Sequence, residues 1–197
     1  LLTEKQIDIF REIINIGMGK SAAMLNEILE APIKLEVPRI DVLRGSDLAG
    51  LADAEAKLSA IKLNFSGLFS GFAHLVFPVQ SAGNLVSLLT NERNISDEMD
   101  SIKAGTLSEI GNILLNGILG SISNMTETQF NYSIPVYMED KMANLLRIDD
   151  LDGDTILLLS HTKFDVHSLE IYGEILILLG LDSFEKLKET LEKLSEE

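Results

Sequence analysis

The chain has 197 residues, enough for one domain or for two small halves sharing a core, and its 46% apolar content is ample for burial. Against 31 acidic residues it has only 16 basic ones, and the net charge of −15 argues against nucleic acid and anionic lipid as partners while suiting a protein with a basic rim. The absence of cysteine excludes disulfides, thiolate nucleophiles and Cys-based metal sites and agrees with a cytoplasmic location. No secretory leader is read, and no apolar run reaches the roughly 18 to 20 residues that cross a bilayer.

In chain order, Thr3 and Gln6 read as a capping box opening a helix that runs to about Glu30, with Ile7, Phe10, Ile14, Met18, Leu25 and Leu29 as its apolar stripe. Strand-like runs follow at 33–43, 58–66 and 71–77, with Gly45, Gly50 and Gly67 at turns, and a helix is predicted over 79–90. A second long helix spans about Asp97 to Asn124. Further strand-like runs lie near 130–138, 143–149, 155–167 and 171–179, with Asp152, Gly153 and Asp154 as a turn, before a helix from Ser183. The tail EKLKETLEKLSEE is amphipathic, and its charged side reads as a solvated face before a docking one.

This order repeats. An offset of 97 lays REIINIGMG (11–19) on SEIGNILLN (108–116), matching Glu12 to Glu109 and Asn15 to Asn112, and it also places Pro38 on Pro135. An offset of 102 matches 69–89 to 171–191, including Gly71 to Gly173. The halves run about 4–92 and 97–197, within a single domain covering 1–197. Runs joined by short turns favour antiparallel pairing. The expected fold is therefore α+β: an internally duplicated, pseudo-twofold domain with a shared, mainly antiparallel sheet and two long motif-bearing helices.

Asp8, Glu12 and Asn15 fall at i, i+4 and i+7 of the first helix, an arc that continues over Gly19, Ala22 and Ala23. Gly17 and Gly19 are costly inside a helix and suggest a close backbone approach. The second helix presents Gly105, Glu109, Asn112 and Asn116. A carboxamide has an acceptor oxygen and two donor hydrogens, so it can aim a water without taking its proton. Phosphoryl transfer, with its loose transition state, needs placement of the nucleophile more than a strong base. An acidic neighbour suits a cation on the substrate better than an anionic phosphoryl group. The chain offers no metal cluster, so any Mg²⁺ must arrive with the substrate.

The pattern DxxxExxN, then 22 residues and a proline, resembles the signature of the CheC, CheX and FliY phosphatases of chemotaxis. Its first copy is Asp8, Glu12, Asn15 and Pro38; its second is Glu109, Asn112 and Pro135, with Gly105 where the family usually has Asp or Ser. Two motifs in one chain resemble CheC more than CheX, whose chains have one and pair as dimers. The resemblance implies that Asn15 and Asn112 orient water at the phosphoaspartate of a CheY-like response regulator. It implies that Glu12 and Glu109 pair with the regulator's lysine, that Mg²⁺ belongs to the regulator, and that the deamidase CheD is a second partner. A monomer suffices for an internal twofold. The rival expectation is a non-catalytic adaptor that binds the phosphorylated regulator or CheD, like the related flagellar switch domains.

Blander readings apply elsewhere. Pro38 and Pro135 are read as ending a strand or setting a turn, Asp8 as a helix-face charge, and Asn116 and Asn124 as exposed polar positions. His74, His161 and His167 lack a ligand pattern that would complete a metal site.

Overall fold

The computed structural model of the chain describes residues 2–29, 32–47, 56–90, 97–147, 154–166 and 169–196. Helix α1 (Glu4–Leu29) opens with the expected reciprocal cap: Thr3 N–H donates to Gln6 Oε1 at 2.9 Å and Gln6 N–H to Thr3 Oγ1 at 3.2 Å. Phe10, Ile14, Met18 and Leu25 are buried as the stripe requires, joined by Ile13. The chain continues through β1 (Ile33–Arg44), β2 (Lys57–Ser66), β3 (Gly71–Pro78), α2 (Val79–Thr90) and α3 (Asp97–Met125). It then forms β4 (Asn131–Tyr132), β5 (Val136–Lys141), α4 (Met142–Leu146), β6 (Ile156–Val166), β7 (Leu169–Leu179) and α5 (Leu181–Glu196).

The strands form one seven-stranded sheet in the order β1-β6-β7-β3-β2-β4, with β5 also on β2, and every described pairing is antiparallel. The α+β architecture with an antiparallel sheet is thus observed. One face of the sheet, through residues such as Ile61, Leu63, Leu75 and Ile177, packs on the helix layer. The opposite face, through Ala60, Val76, Leu157 and Leu176, packs on Met142, Leu145 and Leu146.

That second cluster corrects one expectation. The run 143–149, read as a strand, begins instead as helix α4, because Met142, Leu145 and Leu146 at helical spacing all bury onto the sheet. Arg147, with φ 52°, ends it in a left-handed cap. Residues 148 and 149 fall outside the described residues, as do Gly50, Asp152, Gly153 and His167.

Helices α1 and α3 meet backbone to backbone. A Cβ on Gly17 would stand 2.7 Å from the Gly117 carbonyl oxygen, so glycine is required for this approach. Ser21 beside it donates to the Gly17 carbonyl at 2.9 Å and lies 3.1 Å from that of Ile113. Residues 17 and 21 therefore face 117 and 113, and the helices run antiparallel. Gly19, expected to share this role, has nothing within 4 Å of a built Cβ. Ala22, placed by the helical arc on the accessible strip, is buried instead.

His74 lies on β3 in the layer covered by α4. Its ring nitrogens have no partner of normal hydrogen-bond geometry among the described residues. Burial first, then the nearby Lys62 charge, push its pKa down to about 4 against a small opposing effect of the Leu145 backbone. The ring is neutral at pH 7.

Candidate functional site

The two long helices bring their Glu and Asn residues beside the two edges of the sheet, and each edge is irregular at the same place. On β1, residues 37 and 38 stand opposite the single residue Thr162, because the register slips between Glu36 and Arg39. On the other edge, residues 133–135 stand opposite only Leu63 and Asn64, between the pairs Tyr132 with Phe65 and Val136 with Lys62. Each edge thus holds one extra residue, a bulge. Pro38 and Pro135 sit within these bulges, where a missing N–H does no harm to the ladder. Pro38 lies inside β1 and does not end it, contrary to its expected place. Pro135 lies between β4 and β5, as expected.

At the first edge the bulge is tied down. Val37 is buried, its N–H donates to Asn15 Oδ1 at 3.0 Å, and Asn15 Nδ2 donates to the Val37 carbonyl at 3.4 Å. Backbone groups that the bulge removes from the ladder are satisfied by the side chain instead. This contact joins residues 22 apart, so the spacing from Asn to the bulge has a direct structural cause here. Glu12 is exposed one turn away. Asp8 pairs with Arg11 at 2.7 Å on the same exposed surface, as its reading as a helix-face charge required.

The second edge is open. An offset of 97 puts Ile134 at the place of Val37, yet Ile134 is 85% exposed while Val37 is 2% exposed. Between the displaced segment and α3 lies a cavity of about 470 Å³. Gly105, Ser108, Glu109, Asn112 and Asn116 line it from the helix, and Tyr132, Ser133, Ile134 and Pro135 from the strand side. Burial raises the pKa of the Tyr132 hydroxyl further above neutrality. A Cβ at Gly105 would meet nothing within 4 Å, so the glycine leaves the mouth of the cavity wide. Glu12 and Glu109 have no hydrogen-bond or ion-pair partner among the described residues, and both carboxylates face solvent.

Asn116 is the residue that sequence reading misplaced. It is half-buried, and its Nδ2 donates to Asn112 Oδ1 at 2.7 Å while its own oxygen is turned into the fold without a partner. The signal was present in the pattern, since Asn112 and Asn116 are four apart on one helix, but four-apart asparagines are ordinary on solvated faces. Among the described residues no group of three or more His, Cys, Asp or Glu side chains is placed to hold a metal. His161 lies 3.1 Å from Asp41 and 3.5 Å from Glu174, an ion-pair arrangement on the opposite face of the sheet.

No protein-family profile matches the sequence. The chain is 28% identical over 196 residues to the CheY-P phosphatase CheC of Bacillus subtilis, covering 94% of this chain and 93% of the relative. The crystal structure of Thermotoga maritima FliY superposes with a TM-score of 0.76 at 19% identity, over 98% of both chains. CheX in the CheX–CheY–BeF3–Mg complex of Borrelia burgdorferi superposes at 0.54 and 14% identity, over 86% of this chain and 99% of that one. The structural likenesses establish the fold: an α+β domain like those of FliY and CheX. With the near-complete match to CheC, the chain is similar to the CheC, CheX and FliY proteins along nearly its whole length.

Proposed function

We propose that this protein hydrolyses the phosphoaspartate of a CheY-like response regulator, and that the open cavity over Asn112 is its principal working site. The observation behind the reading is that a neutral carboxamide, with an unpaired carboxylate three residues before it, lies half-buried in a cavity a visiting protein can reach. Its chemistry is positional. Asn112 accepts a hydrogen bond from a water and turns that water's oxygen toward phosphorus. The new O–P bond forms as the bond from phosphorus to the aspartyl oxygen breaks. The carboxylate leaves as an anion, and a water proton passes to the departing inorganic phosphate.

Glu109 cannot approach an anionic phosphoryl group with profit, and its place at the mouth suits the lysine of the regulator. Asn15 and Glu12 form the matching pair at the first edge. Pro38 and Pro135 support the two bulges, and Asp8 supports the exposed face of the first. In this reading Mg²⁺ arrives in the regulator's own site, consistent with the Mg and CheY named in the CheX complex. The CheC relative's activity on CheY-P supports the same substrate class. CheD is a proposed second partner, a monomer is sufficient, and the cytoplasm, where such regulators are phosphorylated, is the proposed location.

The test is phosphate release from a phosphorylated CheY-like protein with Mg²⁺ present. Addition of catalytic amounts of the chain is expected to accelerate release with turnover. Measurable binding with unchanged release would establish the adaptor reading in place of the enzyme.

A further inference from the structure

In the first half two backbone groups of Val37 hold the Asn15 carboxamide by both its ends. In the second half Ile134 is exposed and makes no described hydrogen bond to Asn112, yet a catalytic amide that rotates freely would present its oxygen and nitrogen to the cavity at random. One side chain replaces the lost restraint. Asn116, one turn along α3, donates from Nδ2 to Asn112 Oδ1 at 2.7 Å. The first half has Gly19 at the aligned position, exposed and without a side chain, so no such clamp exists there.

We propose that Asn116 is a positioning residue of the second site, fixing the Asn112 carboxamide so that one oxygen lone pair and the NH₂ group face the cavity. The proposal rests on the phosphatase reading. A carboxamide oxygen has two lone pairs, and Asn116 occupies one, leaving the other for water. The N–H donors of Asn112 then point the same way, toward the phosphoryl oxygens. As placed, the Asn116 amide gives its N–H to Asn112 and keeps its own oxygen on the buried side, without a partner. Because Asn116 spends its N–H on Asn112, it acts through that residue and is distinct from the pair that meets the substrate.

Phosphate release is measured first for the unaltered chain and then for Asn116→Ala and Asn116→Asp. The Ala variant is expected to lower kcat about ten-fold while KM for the phosphorylated regulator changes less than about two-fold, because only the aim of the water is lost. At neutral pH the Asp variant is expected to be as slow as Ala, since a carboxylate cannot donate to Oδ1. As pH falls and the half-buried carboxyl protonates, its O–H restores a donor and activity relative to the unaltered chain at the same pH recovers. In ¹⁵N NMR spectra of the free protein, the Asn112 side-chain NH₂ resonances are expected to shift in the Ala variant. An unchanged kcat for Asn116→Ala overturns the proposal, and so does an Asp variant without recovery at low pH. An unaltered chain that fails to speed release overturns the phosphatase reading itself and this role with it, and that result is seen before any variant is made.

Discussion

The first half of the chain runs its edge strand unbroken through the bulge at Pro38, whereas the second half breaks the aligned strand into β4 and β5 around Ser133–Pro135. The same asparagine therefore has two fates. Asn15 is bound at both ends to the Val37 backbone, while Asn112 looks into an open cavity with only its oxygen engaged. The comparison teaches that a Glu and Asn pair at fixed spacing from a proline specifies a helix, a bulge and their proximity. Whether the amide is left free for a reaction depends on where one strand residue points.

The largest effect expected from this contrast is on turnover. Asn112→Ala should lower kcat by about 100-fold, the scale for losing a group that acts in the transition state, and Asn15→Ala by much less. Phosphate-release assays on the two single variants decide this, and equal losses would erase the proposed difference between the sites. Next comes acid stability. His74 is aligned by the offset of 102 with Leu176, its own partner across β3 and β7. Its folded pKa of about 4 lies below the ordinary value of 6.5, so its contribution to stability is complete above pH 6.5 and is lost as pH falls toward 4, because the unfolded chain takes up the proton first. The loss reaches about 3 kcal/mol. His74→Leu should flatten that window when urea midpoints are compared across it, leaving the fall at lower pH that comes from carboxylates such as Glu139. There burial raises the pKa, but hydrogen bonds from Lys103, Tyr137 and Ser59 outweigh it and hold the group low.

Smaller effects test the frame. Gly17→Ala should cost about 2 kcal/mol in thermal unfolding, since its Cβ would push against the Gly117 backbone, whereas Gly19→Ala should gain up to about 1 kcal/mol. Equal responses at the two glycines would contradict the close helix crossing. Least of all, Asn15→Ala should cost about 1 kcal/mol in chemical denaturation by leaving the buried Val37 N–H without its partner.

Much of this was legible in the residues. The cap at Thr3 and Gln6, the apolar stripe of α1, and the places of the strand runs follow from local rules that tertiary packing did not override. The 143–149 run was misread because a five-residue apolar stretch fits either period, and only burial on the sheet selected the helix. The motif pairs Glu12 with Asn15 and Glu109 with Asn112 were visible from spacing. The Asn116 contact, the Val37 tie and the exposed Ile134 were not, because each depends on the path of an edge strand distant in sequence.

The broken edge has one more consequence. A long exposed strand is a template on which a stray chain can build a fibril, and among the described residues both outer strands of this sheet are paired along one side only. Splitting one of them into pieces of two and six residues, with Pro135 between, leaves no continuous row of donors and acceptors to copy. The gap proposed to admit a visiting protein therefore also guards against self-assembly, and straightening this segment would close the cavity and lengthen the exposed edge at once.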